Sequence, residues 1–139
     1  MDQQWLESEH LFLEPGTMDK KILGLAGISG ALVVALGAFG AHGLEDLLTQ
    51  NNRLDTFDTA VQYQMFHTLA LMALSFLQIK KRRTIALLFL LGILIFSGSL
   101  YVLSLTNIAM LGAITPIGGV LFISGWLLLT LQSFRTKKA

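Results

Sequence analysis

The sequence predicts an all-α integral membrane protein, a single-domain bundle of four transmembrane helices. Its 139 residues are 53% hydrophobic and only 14% charged, whereas soluble domains average about 25% charged residues. Four long stretches also lack formal charge: residues 22–44, 60–79, 84–105 and 111–131. About 20 helical residues cross a hydrocarbon core of about 30 Å. Each stretch is therefore expected to be one membrane-spanning helix.

The first 19 residues form a polar, acidic amino-terminal arm, and residues 20–139 form the predicted transmembrane domain. Acidic residues are spread through the arm, and Pro15-Gly16 interrupts it. An acidic start does not fit a signal peptide, which begins with basic residues. We expect either a short interfacial arm or a translation start at Met18, and the sequence leaves both open.

Basic residues are concentrated in segments that the predicted spans place on one side of the membrane. Nine of the ten Lys and Arg residues precede the first span, separate the second from the third, or follow the fourth, and Arg53 is the exception. Since basic segments remain cytoplasmic, we expect an inner (plasma) membrane protein with both termini in the cytoplasm. In the first outer loop, Leu44, Leu47 and Leu48 recur at helical spacing, which predicts a short amphipathic helix at the interface.

The first span is rich in small residues, which fall on two of its faces. Small residues let helices approach closely in lipid. We therefore expect this span to be the central helix, with neighbours on two sides. The candidate helix-packing residues of the whole chain are Gly27, Gly30, Ala31, Ala35, Gly37, Ala38, Gly40, Gly98, Gly112 and Gly119.

Polar side chains follow one face of the second span, among them Gln64, His67 and Thr68. This face must lie inside the bundle, because an unpaired polar group in lipid costs several kcal/mol. His42 ends the first span, and we expect it to meet His67 in the outer third of the bundle. Trp126 lies deep in the fourth span, so its indole N–H needs an interior partner. The candidate polar cluster is His42, Tyr63, Gln64, His67 and Tyr101.

Five motifs occur in order along the chain: GAFGAHGL at 37–44, TAVQYQMFH at 59–67, FSGSLY at 96–101, TPIGG at 115–119 and GW at 125–126. Together they resemble the small four-span inner-membrane proteins of the YgdD and YwdK type, which have eukaryotic relatives. The resemblance covers about Met18 to Lys138. It implies a fold and a membrane location but no activity, because the family's function is unknown. The departure of the first 17 residues from the family pattern favours the start at Met18.

The residue content argues against catalysis, a cofactor or a metal site. The chain has no cysteine, no serine-histidine-acid set, no paired carboxylates and no histidines at metal spacing. We expect an accessory or structural protein that binds the lipid bilayer and other membrane proteins or itself, and no nucleic acid. The alternative is a small oligomeric transporter, or a proton or solute pathway, that uses His42 and His67. The run Lys80–Arg83 is expected to set topology, and the alternative is that it binds anionic head groups.

Overall fold

The computed structural model describes residues 18–135, and within this range it is all-helical, with no β-strand. The predicted arm lies almost entirely outside the described residues. Two irregular turns accompany the α-helices within this range: a π-helical turn, Ile93–Ser97, and a 3₁₀ turn, Ala109–Ala113. The helices are α1 Lys20–Ala41, α2 Glu45–Gln50, α3 Leu54–Phe76, α4 Arg82–Gly92, α5 Gly98–Thr106 and α6 Thr115–Arg135.

Among the described residues, three helical segments are long and apolar enough to cross a membrane: Lys20–Ala41, Arg82–Thr106 and Ala109–Phe134. They correspond to the first, third and fourth predicted spans. The second predicted span corresponds to α3, which begins at Leu54 rather than at residue 60 and ends at Phe76 rather than at residue 79. Its 23 residues are comparable with the 22, 25 and 26 residues of the other segments, but its first turns carry Asp55 and Asp58, which lower its overall hydrophobicity.

The long helices pack side by side in antiparallel pairs. Along α1 and α3, Gly40 lies against Phe57, and Gly30 lies against Thr68. An adjacent face of α3 packs along the continuous α4–α5 helix, which in turn packs along α6. The main core lies between these helices, towards the end at which α1 and α4 begin. It contains Ile22, Ala26, Leu71, Leu74, Ile85, Ala86, Phe89 and Phe122.

Helix α1 lies at the edge of this arrangement, so the prediction that it is the central helix is wrong. It buries a single face, formed by Ile22, Ala26, Ser29, Val33 and Gly40. Its long contact is with α3, and its first turns share the core with α4. Among the predicted packing residues on this helix, those on the other face are exposed: Gly27, Ala31, Ala35 and Ala38.

The remaining predicted packing residues divide into close contacts and open positions. A Cβ at Gly40 would lie 2.4 Å from the Phe57 ring. At Gly30, Gly37, Gly112 and Gly119 it would make ordinary contacts of 3.6 to 3.9 Å, and at Gly98 it would meet nothing within 4 Å. Three tight glycines escaped the sequence prediction, and all lie between the α4–α5 helix and α6: Gly92, Gly118 and Gly125.

The predicted short helix of the first outer loop is present as α2, with Leu48 fully buried beneath it. Two side chains then tie this loop to the loop after α5. Asn51 Nδ2 donates to the Ser104 carbonyl oxygen at 2.9 Å, and Arg53 Nε donates to Asn107 Oδ1 at 3.0 Å. The two loops therefore close the same end of the bundle together.

Candidate functional site

The structure separates His42 from the other four residues of the predicted cluster. His42 is exposed just after α1, and within residues 18–135 its side chain makes no hydrogen bond or ring contact. The contacts of Gly40 with Phe57 and of Gly30 with Thr68 set the register of α1 and α3. In that register His67 lies about 12 residues, or about 18 Å along the helix axis, from the level of His42. The two histidines do not form one site within this chain.

His67 is buried in the middle of α3 and uses both of its ring nitrogens. Its Nδ1 lies 2.8 Å from the carbonyl oxygen of Tyr63. The indole Nε1–H of Trp126 donates to His67 Nε2 at 3.1 Å, which confirms the prediction that this indole has an interior partner. A carbonyl only accepts and an indole only donates. The imidazole is therefore neutral, with its proton on Nδ1 and its one lone pair engaged.

Aromatic rings enclose His67 on several sides. The Phe122 ring lies parallel to the imidazole, with centroids 3.5 Å apart and 9° between the planes. Phe89 meets it edge-on at 5.4 Å, and Tyr63 stacks at 6.2 Å. These contacts fix the orientation of the ring and exclude water from both of its nitrogens.

Beside this cluster, α3 and α6 border a groove of about 760 Å³ that opens to the outside of the helix bundle. Its walls are almost entirely apolar or aromatic, and they include Tyr63, Phe66, Phe96, Phe122, Ile123 and Trp126. The His67 ring also lines this groove, but both of its nitrogens are already hydrogen-bonded to Tyr63 and Trp126. Such a surface suits hydrocarbon chains rather than a charged solute.

A second polar network connects α1, α3 and α5. The hydroxyl of Tyr101 donates to Gln64 Oε1 at 2.8 Å. Gln64 Nε2 then donates to the Ser29 carbonyl oxygen at 3.2 Å, and the hydroxyls of Ser29 and Thr68 lie 2.6 Å apart. Because Gln64, His67 and Thr68 are all buried, the polar face of α3 points inward, as predicted.

The π-helical turn contains a buried hydroxyl of a different kind. Ser97 Oγ is fully enclosed, and within residues 18–135 it has no hydrogen-bond partner. Two residues further on, Ser99 Oγ lies 2.8 Å from Thr115 Oγ1 and connects α5 with α6. Hydroxyl contacts therefore connect α1 with α3 and α5 with α6, and Ser97 takes part in none of them.

At the other end of the bundle, Asp19 caps α1 and pairs with two arginines. Its Oδ1 accepts from the backbone N–H groups of Lys21 and Ile22 at 3.1 and 3.3 Å. Its Oδ2 lies 3.4 Å from Arg82 and 3.3 Å from Arg83. Burial raises the pKa of Asp19, but the N–H of Ile22, the Arg83 guanidinium, the N–H of Lys21 and the charge of Arg82 together lower that pKa below its usual value.

The described residues do not provide a metal centre: between residues 18 and 135, no three His, Cys, Asp or Glu side chains are grouped so that they could hold an ion. The interior instead contains neutral donors and acceptors that bond to one another. Chemically, this arrangement fixes helix positions and provides neither a charged group nor a free lone pair at His67.

Comparison with known proteins agrees with the membrane character of these helices. Residues 36–119 match the family model described as "Protein of unknown function (DUF423)". The chain belongs to this family. It is 44% identical over 123 residues to a UPF0382 membrane protein of Haemophilus influenzae, covering 86% of this chain and 98% of that protein. The membrane protein YwdK of Bacillus subtilis is 44% identical over 121 residues, which are 84% of this chain and 98% of YwdK.

The inner membrane protein YgdD of Escherichia coli is 39% identical over 124 residues, covering 84% of this chain and 92% of YgdD. The predicted resemblance to the YgdD and YwdK family is thus confirmed. No solved structure matches the chain. The family assignment supports a helical membrane protein and does not imply an activity.

Sequence reasoning missed two residues, Ser29 and Asp19, that bond to polar groups on other helices. Ser29 looked like one more small residue of α1, yet both its hydroxyl and its carbonyl bond to α3. Asp19 looked like part of the acidic arm, yet it joins α1 to the start of α4. A signal for Asp19 was present, since an Asp before a helix is a common N-cap. Nothing in the sequence alone pairs Ser29 with Thr68.

Proposed function

We propose that this chain is a non-catalytic accessory or structural protein of the inner membrane, which binds other membrane proteins, a second copy of itself, or lipid. The double engagement of His67 is the observation that carries this proposal. A proton relay or metal ligand needs a lone pair that can be reached, and the lone pair of His67 is already bonded to Trp126. The histidine therefore serves the packing of α3 against α6.

We propose that α3 crosses the membrane as the second of four spans. Its 23 residues give a length of about 34 Å, and it packs between two helices that are apolar enough to cross. Its polar residues face inward, which explains its lower hydrophobicity without placing the helix outside the bilayer.

The charge distribution supports both termini being cytoplasmic, because basic segments remain on that side. We expect a reporter that is active only in the cytoplasm to be active when fused after Ala139 and inactive when inserted at Asn107. The opposite result at either position would overturn the proposed topology.

The edge position of α1 supports association with another membrane protein or a second copy. Its exposed surface includes a stripe of small residues, Gly27, Ala31, Ala35 and Ala38, and small residues let helices in lipid pack closely. The chain has no cysteine, so one can be introduced alone. We expect Ala35→Cys in native membranes to form specific cross-linked products that Val120→Cys, which is also exposed but lies on α6, does not form. Equal products from both positions would contradict this use of α1.

A flux measurement separates the proposed role from the transport alternative. His67→Phe removes the ring nitrogens and keeps an aromatic side chain of similar shape. We expect the variant to lower the thermal stability of the purified protein and to leave proton or solute flux in reconstituted vesicles equal to that of empty vesicles, as for the unmodified chain. Flux in the unmodified protein that this variant abolishes while still folded would establish the alternative.

A further inference from the structure

A second groove, of about 370 Å³, lies between the first turns of α1 and the first turns of α4. Its walls are apolar and are formed by Ile22, Leu25, Ala86, Leu87 and Leu90. Its mouth is polar and is formed by Asp19, Lys21 and Arg83. The groove therefore has the polarity of a phospholipid, with a charged end and a hydrocarbon end.

The charges around the mouth are mainly positive. Within the described residues, Lys20, Lys21 and the run Lys80–Arg83 place six basic side chains at this end, and Asp19 is the one carboxylate. The Asp19 side chain is only 5% exposed, whereas that of Arg83 is 83% exposed. A molecule approaching from the lipid consequently meets cationic groups, because the carboxylate lies behind them.

The two arginines beside Asp19 have different roles. Arg82 donates to the carbonyl oxygens of Ser75 and Leu77 and so caps the end of α3. Arg83 donates to Asp19 through Nε, and among the described residues its two terminal nitrogens make no hydrogen bond. Lys21 is exposed, and in the described part of the chain its side chain has no acidic partner. Arg83 and Lys21 are therefore the cations available to a head group.

The dimensions and helix directions fit the same ligand. Both α1 and α4 run antiparallel to α3, so their positive N-terminal ends lie together at the mouth. The α4 N-terminus has no side-chain cap. From Arg83 to Leu90 the groove follows α4 for about 10 Å, which is most of one leaflet of a hydrocarbon core about 30 Å thick.

We propose that this groove binds one anionic phospholipid, with its phosphate on Lys21 and Arg83 and an acyl chain along Leu25, Leu87 and Leu90. Basic pockets between membrane helices at the cytoplasmic side are a known form of anionic lipid recognition. The inference rests on the lipid-binding part of the proposed function and specifies its location and head-group charge.

The test is native mass spectrometry of the full chain in mild detergent, titrated with phosphatidylglycerol or with phosphatidylcholine carrying the same acyl chains. We expect one tightly retained phosphatidylglycerol and no comparable phosphatidylcholine. Lys21→Gln and Arg83→Gln should each weaken that binding about fivefold. The matched control is Lys80→Gln with Lys81→Gln, which removes two charges outside the groove and should leave binding within about twofold.

A third variant tests the hydrocarbon end without changing charge. Leu87→Trp is expected to fill the groove and weaken phosphatidylglycerol retention, while the melting temperature measured in phosphatidylcholine stays near that of the unmodified chain. Equal retention of both lipids, an equal loss in the Lys80 and Lys81 control, or full competition by inorganic phosphate would overturn the proposal. Each of these results leaves cross-linking through α1 unaffected, so the proposed accessory role is tested separately.

Discussion

Two antiparallel contacts between helices, here called seams, are built differently. The first seam lies between the α4–α5 helix and α6, and the second seam lies between α1 and α3. In the first seam, three glycines lie directly against a phenylalanine of the facing helix. The Phe122 ring packs on Gly92, the Phe89 ring packs on Gly125, and the Phe96 backbone packs on Gly118. In the second seam only Gly40 makes such a close contact. The rest of that seam consists of looser contacts and the hydrogen bonds of Ser29.

This difference shows two ways of holding helices together in lipid. Closely approaching backbones gain many dispersion contacts and tolerate almost no added volume. Hydrogen bonds fix register but contribute only about 0.6 kcal/mol each on average. The α4–α5 helix and α6 should therefore form the rigid part of the molecule, and α1 should be the more easily displaced helix.

Gly118→Ala should cause the largest loss of stability. Its Cβ would lie 2.4 Å from the backbone nitrogen of Phe96, and backbone cannot move aside as a flexible side chain can. We expect a loss of about 3 kcal/mol, measured as the free energy of unfolding in detergent micelles. A variant as stable as the unmodified chain would show that the seam is looser than described.

Trp126→Phe should cost about 2 kcal/mol, because it leaves His67 Nε2 buried without a donor. The same substitution in a His67→Phe background should cost less, since the unsatisfied nitrogen is then absent. A double-mutant cycle measures the difference as the coupling energy between the two side chains. Additive losses would mean that this hydrogen bond contributes nothing to the packing of α6.

Ser29→Ala should cost about 0.6 kcal/mol, since it removes one hydroxyl contact from the α1–α3 seam. The matched control is Ser124→Ala on α6, whose hydroxyl is exposed and bonds only within its own helix to Val120. We expect the unfolding free energy to fall for Ser29→Ala and to stay unchanged for Ser124→Ala. A larger loss at Ser29 than at Gly118 would reverse the ranking of the two seams.

Asp19→Asn should lower stability at neutral pH and weaken the dependence of stability on acid. The pKa of Asp19 is lower in the folded chain than its ordinary value of 3.8, so its ionised form stabilises the fold above about pH 4. This stabilisation is lost as the pH falls through the lowered pKa. The melting temperature of Asp19→Asn should therefore respond less to acid below about pH 4 than that of the unmodified chain. Parallel curves would show that the arginine pairs contribute nothing.

Gly27→Ala should have the smallest effect, and its sign should be opposite. A Cβ at Gly27 meets nothing within 4 Å, and alanine is favoured over glycine in a helix by up to about 1 kcal/mol. We expect unchanged or slightly higher stability of the monomer in detergent. A loss comparable to that of Gly118→Ala would place Gly27 in a contact that the isolated chain does not show.

The sequence was informative about helices and much less so about their neighbours. Charge-free stretches located α1, the α4–α5 helix and α6 within a few residues, because hydrocarbon requires a minimum apolar length. The start of α3 was placed too late, since Asp55 and Asp58 resemble loop residues although they lie in its first turns. The π-helical turn has no sequence signal, because it depends on how the flanking helices pack against α3 and α6.

By itself, the sequence determined that the protein is a helical membrane protein, that Gln64, His67 and Thr68 face inward, and that Trp126 needs an interior partner. These conclusions follow from periodicity and from the cost of unpaired polar groups in lipid. The edge position of α1 and the wide separation of His42 and His67 along the bundle follow from the packing of the helices and not from the sequence pattern. Register and neighbour choice depend on side-chain fit between helices, such as Gly40 against Phe57, and one-dimensional spacing does not contain that information.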